Sequence, residues 1–103
     1  MNQYKPGDRI GGEYKVLRVF GGEKRSGMGV VYLVSDREYP KPIVLKTLQH
    51  ADSEDAKRRF MSEAAAWIKA GVHANLVQAY WVREIAGQLF VAAEKGRNNL
   101  TIF

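Results

Sequence analysis

The sequence contains no cysteine. A disulfide framework and a thiolate metal site are therefore both excluded. No apolar run approaches the roughly 18 residues that signal a membrane-spanning helix. The opening Met1-Asn2-Gln3-Tyr4-Lys5-Pro6 lacks the apolar stretch of a secretory signal. A cytoplasmic domain with no membrane partner is the expectation. Low-complexity segments and internal repeats are also missing. What is there is ordinary globular material: 46% hydrophobic and 26% charged residues in a chain of 103. Such a composition argues against disorder, and such a length accommodates one domain with one core. The formal charge of +5 is spread out. Its densest stretch, Lys57-Arg58-Arg59, follows Asp52, Glu54 and Asp55 and reads as a solvated helix face. A modest cationic excess suits small anions, nucleotides included, as well as it suits nucleic acid. Tyr80 and Trp81 are adjacent and point to opposite sides of a strand, so they form no base-stacking platform. No nucleic-acid partner is expected.

Residues 1–13 are polar and punctuated by Gly7, Gly11 and Gly12, and read as a lead-in. Tyr14 to Phe20 and Val30 to Val34 are β-prone segments around the glycine-rich stretch Gly21 to Gly29, and together form a hairpin with a long connection. Asp36 to Pro42, with two prolines, reads as an exposed loop. Ile43 to Leu48 is a third strand. Residues 53–70 predict a helix: Asp52 or Ser53 caps it, Glu54 and Asp55 sit in the first turn, and Phe60, Ala64, Trp67 and Ile68 recur at helical spacing. Residues 76–83 and 88–93 are two further strands joined through Glu84 to Gly87. The fold class is therefore α+β: a five-stranded antiparallel sheet with one main helix, over residues 14–94. Residues 95–103 form a tail.

Two charged residues stand in apolar settings. Lys46 shares a strand face with Val44 and Leu48, while Ile43, Leu45 and Thr47 share the other. It is a half-exposed surface lysine or a paired one. Glu63 follows Phe60 by three residues and precedes Trp67 by four, on or beside the buried stripe of the helix. A carboxylate there calls for a partner, and Lys46 on the preceding strand is the obvious one. The glycine stretch lies between two strands, so it is neither a Rossmann turn nor a P-loop. Its backbone N–H groups could approach phosphates, as could those of any glycine-rich turn.

Glycine hairpin, strand lysine and helix glutamate follow one another in an order that resembles the amino-terminal lobe of eukaryotic-like serine/threonine protein kinases, including the bacterial ones. Gly27-Met28-Gly29-Val30-Val31-Tyr32 is similar to the end of that family's glycine loop. Ile43-Val44-Leu45-Lys46 is similar to its Val-Ala-Ile-Lys segment, and Phe60-Met61-Ser62-Glu63-Ala64 to the helix carrying the ion-pairing glutamate. His73-Ala74-Asn75-Leu76-Val77 resembles the stretch before the fourth strand, and Gln88 to Glu94 the fifth strand entering the hinge. The resemblance implies ATP as ligand, with Lys46 on the α- and β-phosphates and paired to Glu63. It implies that Gly27 and Gly29 cover the phosphates and that Val31 and Val44 pack on the adenine. Ala93 then falls at the gatekeeper position, and backbone groups near Glu94 and Gly96 read the adenine edge. Trp67 would stack in the hydrophobic spine beside Ala79. The family's loop has three glycines; here Lys24 and Ser26 occupy the first two places counted back from Gly29, unless an insertion makes Gly21 or Gly22 the first.

Neither the His-Arg-Asp nor the Asp-Phe-Gly motif of a kinase carboxyl-terminal lobe occurs in the chain. Those motifs supply the base and the Mg²⁺ ligands, so Mg²⁺ is expected only with that second lobe and no metal residue is assigned here. Three expectations follow. The chain alone is inactive as a phosphotransferase. Its surface near Trp67 and the apolar end Leu100, Ile102 and Phe103 meet water and support a homo-oligomer. Protein substrate is engaged only by a whole kinase. The alternative reading is a non-catalytic kinase-like module for interaction or dimerisation.

Overall fold

The computed structural model describes residues 4–21, 30–47, 53–70 and 78–95. Their elements are β1 (Arg9–Ile10), β2 (Tyr14–Gly21), β3 (Val30–Asp36), β4 (Tyr39–Thr47), α1 (Glu54–Ala70), β5 (Ala79–Ile85) and β6 (Gln88–Glu94). The strands form one antiparallel sheet in the order β1-β2-β3-β4-β6-β5. The sheet thus has six strands where the sequence predicted five. The addition is β1, inside the stretch read as a lead-in, paired to β2 through Arg9–Lys15 and Ile10–Tyr14. Two residues between glycine-bearing turns leave no periodic pattern to read, yet Ile10 is completely buried.

Two further boundaries shift. The segment read as a loop, Asp36 to Pro42, is strand from Tyr39 onward. Pro40 and Pro42 are tolerated there because β6 ends opposite Ile43, so this part of β4 has no neighbour on that side. The β5–β6 turn is tighter than the four residues predicted: Ala86 (φ 53°) and Gly87 (φ 81°) make it alone. Two successive left-handed residues match the right-handed twist of a hairpin.

Helix α1 forms as its sequence dictates. Ser53 Oγ accepts the N–H of Ala56 at 3.0 Å, which satisfies one of the free donors of the first turn. Phe60, Ala64 and Trp67 are buried and Ile68 is partly buried, so one apolar stripe meets the sheet.

Each face of the sheet carries its own core. On one face Ile10, Tyr14, Val16, Tyr32, Leu45 and Phe90 are among the buried residues. On the other, Val44, Val91, Ala79 and Ala93 pack with the helix. No second helix is needed over the first face, because the sheet rolls around it. The second and last strands in the order touch: the Tyr14 and Trp81 rings lie 5.9 Å apart, and Arg83 donates to the Tyr14 hydroxyl at 3.4 Å. The Arg83 guanidinium also sits 4.1 Å above the Trp81 ring. The lead-in seals the roll. Tyr4 packs edge-on against Tyr32, and its N–H donates to the Tyr32 hydroxyl at 3.2 Å.

Candidate functional site

The helix-side face is laid out by strand register. Phe20, Val31, Lys46, Val91 and Val82 are successive cross-strand partners from β2 to β5. Arg18, Leu33, Val44, Ala93 and Ala79 form the next rung. Strands lie about 4.8 Å apart within a rung, and rungs two residues apart are separated by about 6.6 Å. Val31, Val44, Lys46 and Ala93, singled out from the sequence, therefore form one contiguous patch. Helix α1 packs mainly on β5. It closes that end of the rungs, where Val91, Ala93 and Ala79 are buried. At the other end Phe20, Val31 and Leu33 are only half-buried. Lys46 stands between the covered and the open ends.

Lys46 is half-buried amid apolar neighbours. Burial pushes its pKa below the ordinary lysine value, and the negative charge of Glu63 opposes that shift. The strand lysine and the helix carboxylate are thus electrostatically coupled. Their burial is the reverse of what the helical stripe suggested. Ala64 is completely buried while its neighbour Glu63 is exposed. A turn of helix places Glu63 at the margin of the stripe, so its own desolvation asks for no partner; the lysine is the group in the poorer solvent.

Glu94 ends β6 at the rim. Its N–H donates to the Gln78 carbonyl, and its Oε1 accepts the Gln78 N–H, both at 2.9 Å. Gly27, Gly29 and Gly96 lie outside the described residues, as does the apolar end Leu100, Ile102 and Phe103. The expectation that the helix face near Trp67 meets water does not hold. Trp67 is 8% exposed, packed within this chain against the cluster that contains Ala79 and Ala93.

Arg18, Phe20 and Leu33 were not singled out from the sequence, yet register puts them on this face. Simple alternation would align Phe20 with Tyr14 and Val16. A bulge between Val16 and Arg18 reverses the parity, sending Val16 to the rolled core with Val34 and Arg18 to the opposite face with Leu33. The Arg18 guanidinium lies 5.6 Å from the centre of the Phe20 ring. No signal short of the register shift itself marks these residues.

An antiparallel sheet with one helix on its lysine-bearing face is kinase-like, with the short β1 as a sixth strand beyond the five expected. No family model matches the chain. The serine/threonine-protein kinase PrkC of Bacillus subtilis is 37% identical over 76 residues, which are 72% of this chain and 11% of that protein. The crystal structure of the Mycobacterium tuberculosis PknI kinase domain superimposes with a TM-score of 0.69 at 29% identity, covering 91% of this chain and 36% of that one. A Plasmodium kinase domain gives 0.73 over 91% of this chain and 27% of that one; at 17% identity it shows the fold alone. In fold and in sequence, the chain corresponds to the amino-terminal lobe of a eukaryotic-like serine/threonine protein kinase. It spans about a quarter to a third of these kinase domains and about a ninth of the curated relative. Among the described residues no helix is long and apolar enough to cross a membrane.

Proposed function

We propose that this lobe binds ATP on the two-rung face. The observation that carries the reading is Lys46: one half-buried cation set in apolar rungs, with the charge of Glu63 acting on it. The residues present fit the ligand. Val31, Leu33, Val44 and Ala93 offer the flat apolar contact an aromatic base needs, and Phe20 extends it at the open end. Lys46 supplies the positive charge for the α- and β-phosphates. Glu63 holds the amine protonated against its desolvation, so a cation is kept where phosphate charge arrives. Gly27 and Gly29 would bring backbone N–H groups over the phosphates, and backbone groups near Glu94 and Gly96 would meet the adenine edge.

ATP supplies the transferable phosphoryl group. This chain contributes binding and orientation, since it has no His-Arg-Asp or Asp-Phe-Gly segment to orient a hydroxyl or hold Mg²⁺. The chain alone is therefore expected to bind nucleotide without transferring phosphate, and protein substrate and Mg²⁺ would be engaged by a second lobe. Calorimetric titration with ATP tests this. Lys46→Ala should weaken binding at least tenfold, because it removes the cation for the phosphates, and Glu63→Ala several-fold, because Lys46 then loses the charge that opposes its desolvation. Equal affinities for wild type and Lys46→Ala would overturn the site. A folded wild type that binds no ATP would favour the non-catalytic interaction module.

A further inference from the structure

A second concavity lies at the opposite end of β4 from Lys46. It has a volume of about 670 Å³ and is bordered by Tyr39, Pro40, Pro42 and Tyr80, with Lys41 and Lys95 at its rim. That volume falls within the usual range for ligand sites. Leu33 and Ile43 add apolar surface. It exists because β4 runs past the end of β6 at Glu94, and the two prolines give that extension no N–H for a further strand to pair.

Its walls are aromatic and its charge is net positive, two lysines against one glutamate. The Tyr39 and Tyr80 rings stack at 5.4 Å with 21° between their planes. Tyr39 is held from behind by Trp81, whose Nε1–H donates to its hydroxyl at 3.0 Å. Tyr80 stays at the surface, 36% exposed. Burial and the nearby Glu94 charge raise its pKa, so its hydroxyl remains a donor. Lys41 and Lys95 are exposed and make no ion pair among the described residues. The acid at the site, Glu94, is turned to the Gln78 N–H, which its Oε1 accepts, and it offsets one of the two lysine charges.

We propose that this concavity is a docking site for an acidic peptide segment of a partner protein, one that carries an aromatic or aliphatic anchor between carboxylates. The anchor packs against the stacked tyrosines and the prolines, and its flanking carboxylates meet Lys41 and Lys95. Aromatic side chains ringed by charge are the usual centres of peptide recognition. A nucleic-acid strand fits less well, because the two tyrosine rings already spend a face on each other and cannot sandwich a base. The concavity borders the proposed adenine contact at Leu33 and Glu94, whereas its tyrosines, prolines and lysines take no part in the ATP reading.

The test uses the full chain and two labelled peptides, Asp-Glu-Phe-Asp-Glu and Lys-Lys-Phe-Lys-Lys, read by fluorescence polarisation and amide chemical shifts. The acidic peptide should bind, the basic one should not, and shifts should concentrate at Tyr39–Ile43, Tyr80 and Glu94–Lys95. Tyr80→Ala should weaken binding about tenfold, as for a truncated aromatic anchor. The double variant Lys41→Glu with Lys95→Glu should reverse the preference between peptides. Circular dichroism checks its fold, which two exposed lysines without ion pairs should not perturb; Lys41→Gln with Lys95→Gln serves if it does. No binding, equal binding of both peptides, shifts located elsewhere, or preferential binding of oligothymidylate would each overturn the proposal.

Discussion

Trp67→Ala should remove a large part of the stability of this domain. Trp67 is 8% exposed and sits with Phe60 and Ala64 on the only helix among the described residues. Its counterparts on the sheet include Ala79 and Ala93, which are cross-strand partners and too small to fill the space alone. A tryptophan buries about 150–250 Å². At about 25 cal/mol/Å² that is roughly 4–6 kcal/mol of transfer free energy. A compact unfolded state trims the figure by about 10–40%, and the residual cavity restores part of it. The expected loss is about 3–5 kcal/mol, against a total of about 5–15 kcal/mol for a typical domain. Urea unfolding followed by far-ultraviolet circular dichroism measures it, with an unchanged slope required for a clean comparison. Trp67→Phe should lose less than half as much. A loss under about 1 kcal/mol for the alanine variant would refute the reasoning, because the helix would then be held by something other than its indole.

Two further outcomes follow from other parts of the molecule. The folded-state pKa of Lys46 is lowered, so the unfolded chain binds the extra proton in the window between that value and the ordinary lysine one. Wild-type stability should rise with pH across that alkaline window, relative to Lys46→Met, and the variant should gain on the wild type as pH falls back to 7. Parallel denaturation series at pH 7 and in that window decide the sign. Gly11 and Gly12 both have positive φ, 64° and 75°, but a β-carbon at Gly11 would lie 2.8 Å from Ile85 Cγ2 while Gly12 faces open space. Gly11→Ala should therefore cost about 2 kcal/mol and Gly12→Ala about 1; equal thermal shifts would count against the contact between that turn and the end of β5.

Where local chemistry carries the information, the sequence was readable. The α1 boundaries and its buried stripe follow from spacing, while of the two caps that the sequence allowed, Asp52 and Ser53, it is the Ser53 hydroxyl that accepts the Ala56 N–H. Spacing also gives the division of β4 into Ile43 and Leu45 on one side and Val44 and Lys46 on the other. Two places were not readable, for one reason. At Leu17 and again at Tyr80, one strand carries a residue without a register partner. Ala79 and Trp81 therefore serve opposite cores although they are two apart, and Phe20 reaches the face that carries Lys46. A bulge is settled by the strand opposite, and no pattern in either strand announces it. The exposure of Glu63 is similar, since its spacing fits both the edge of a helical stripe and its interior.

Order along the chain, the identity of the lysine and glutamate, and the absence of a second-lobe motif were all legible in the residues, because each depends on a short stretch or on its succession. The rolled sheet, the role of β1, the cover over Trp67 and the tyrosine-lined concavity were not. Each arises where segments distant in sequence meet, as Tyr14 meets Trp81 and Tyr39 meets Tyr80. Those meetings depend on register, bulge and twist summed over the whole sheet. A change of one residue in register would send every side chain to the other face, so the packed sheet alone selects which partners meet.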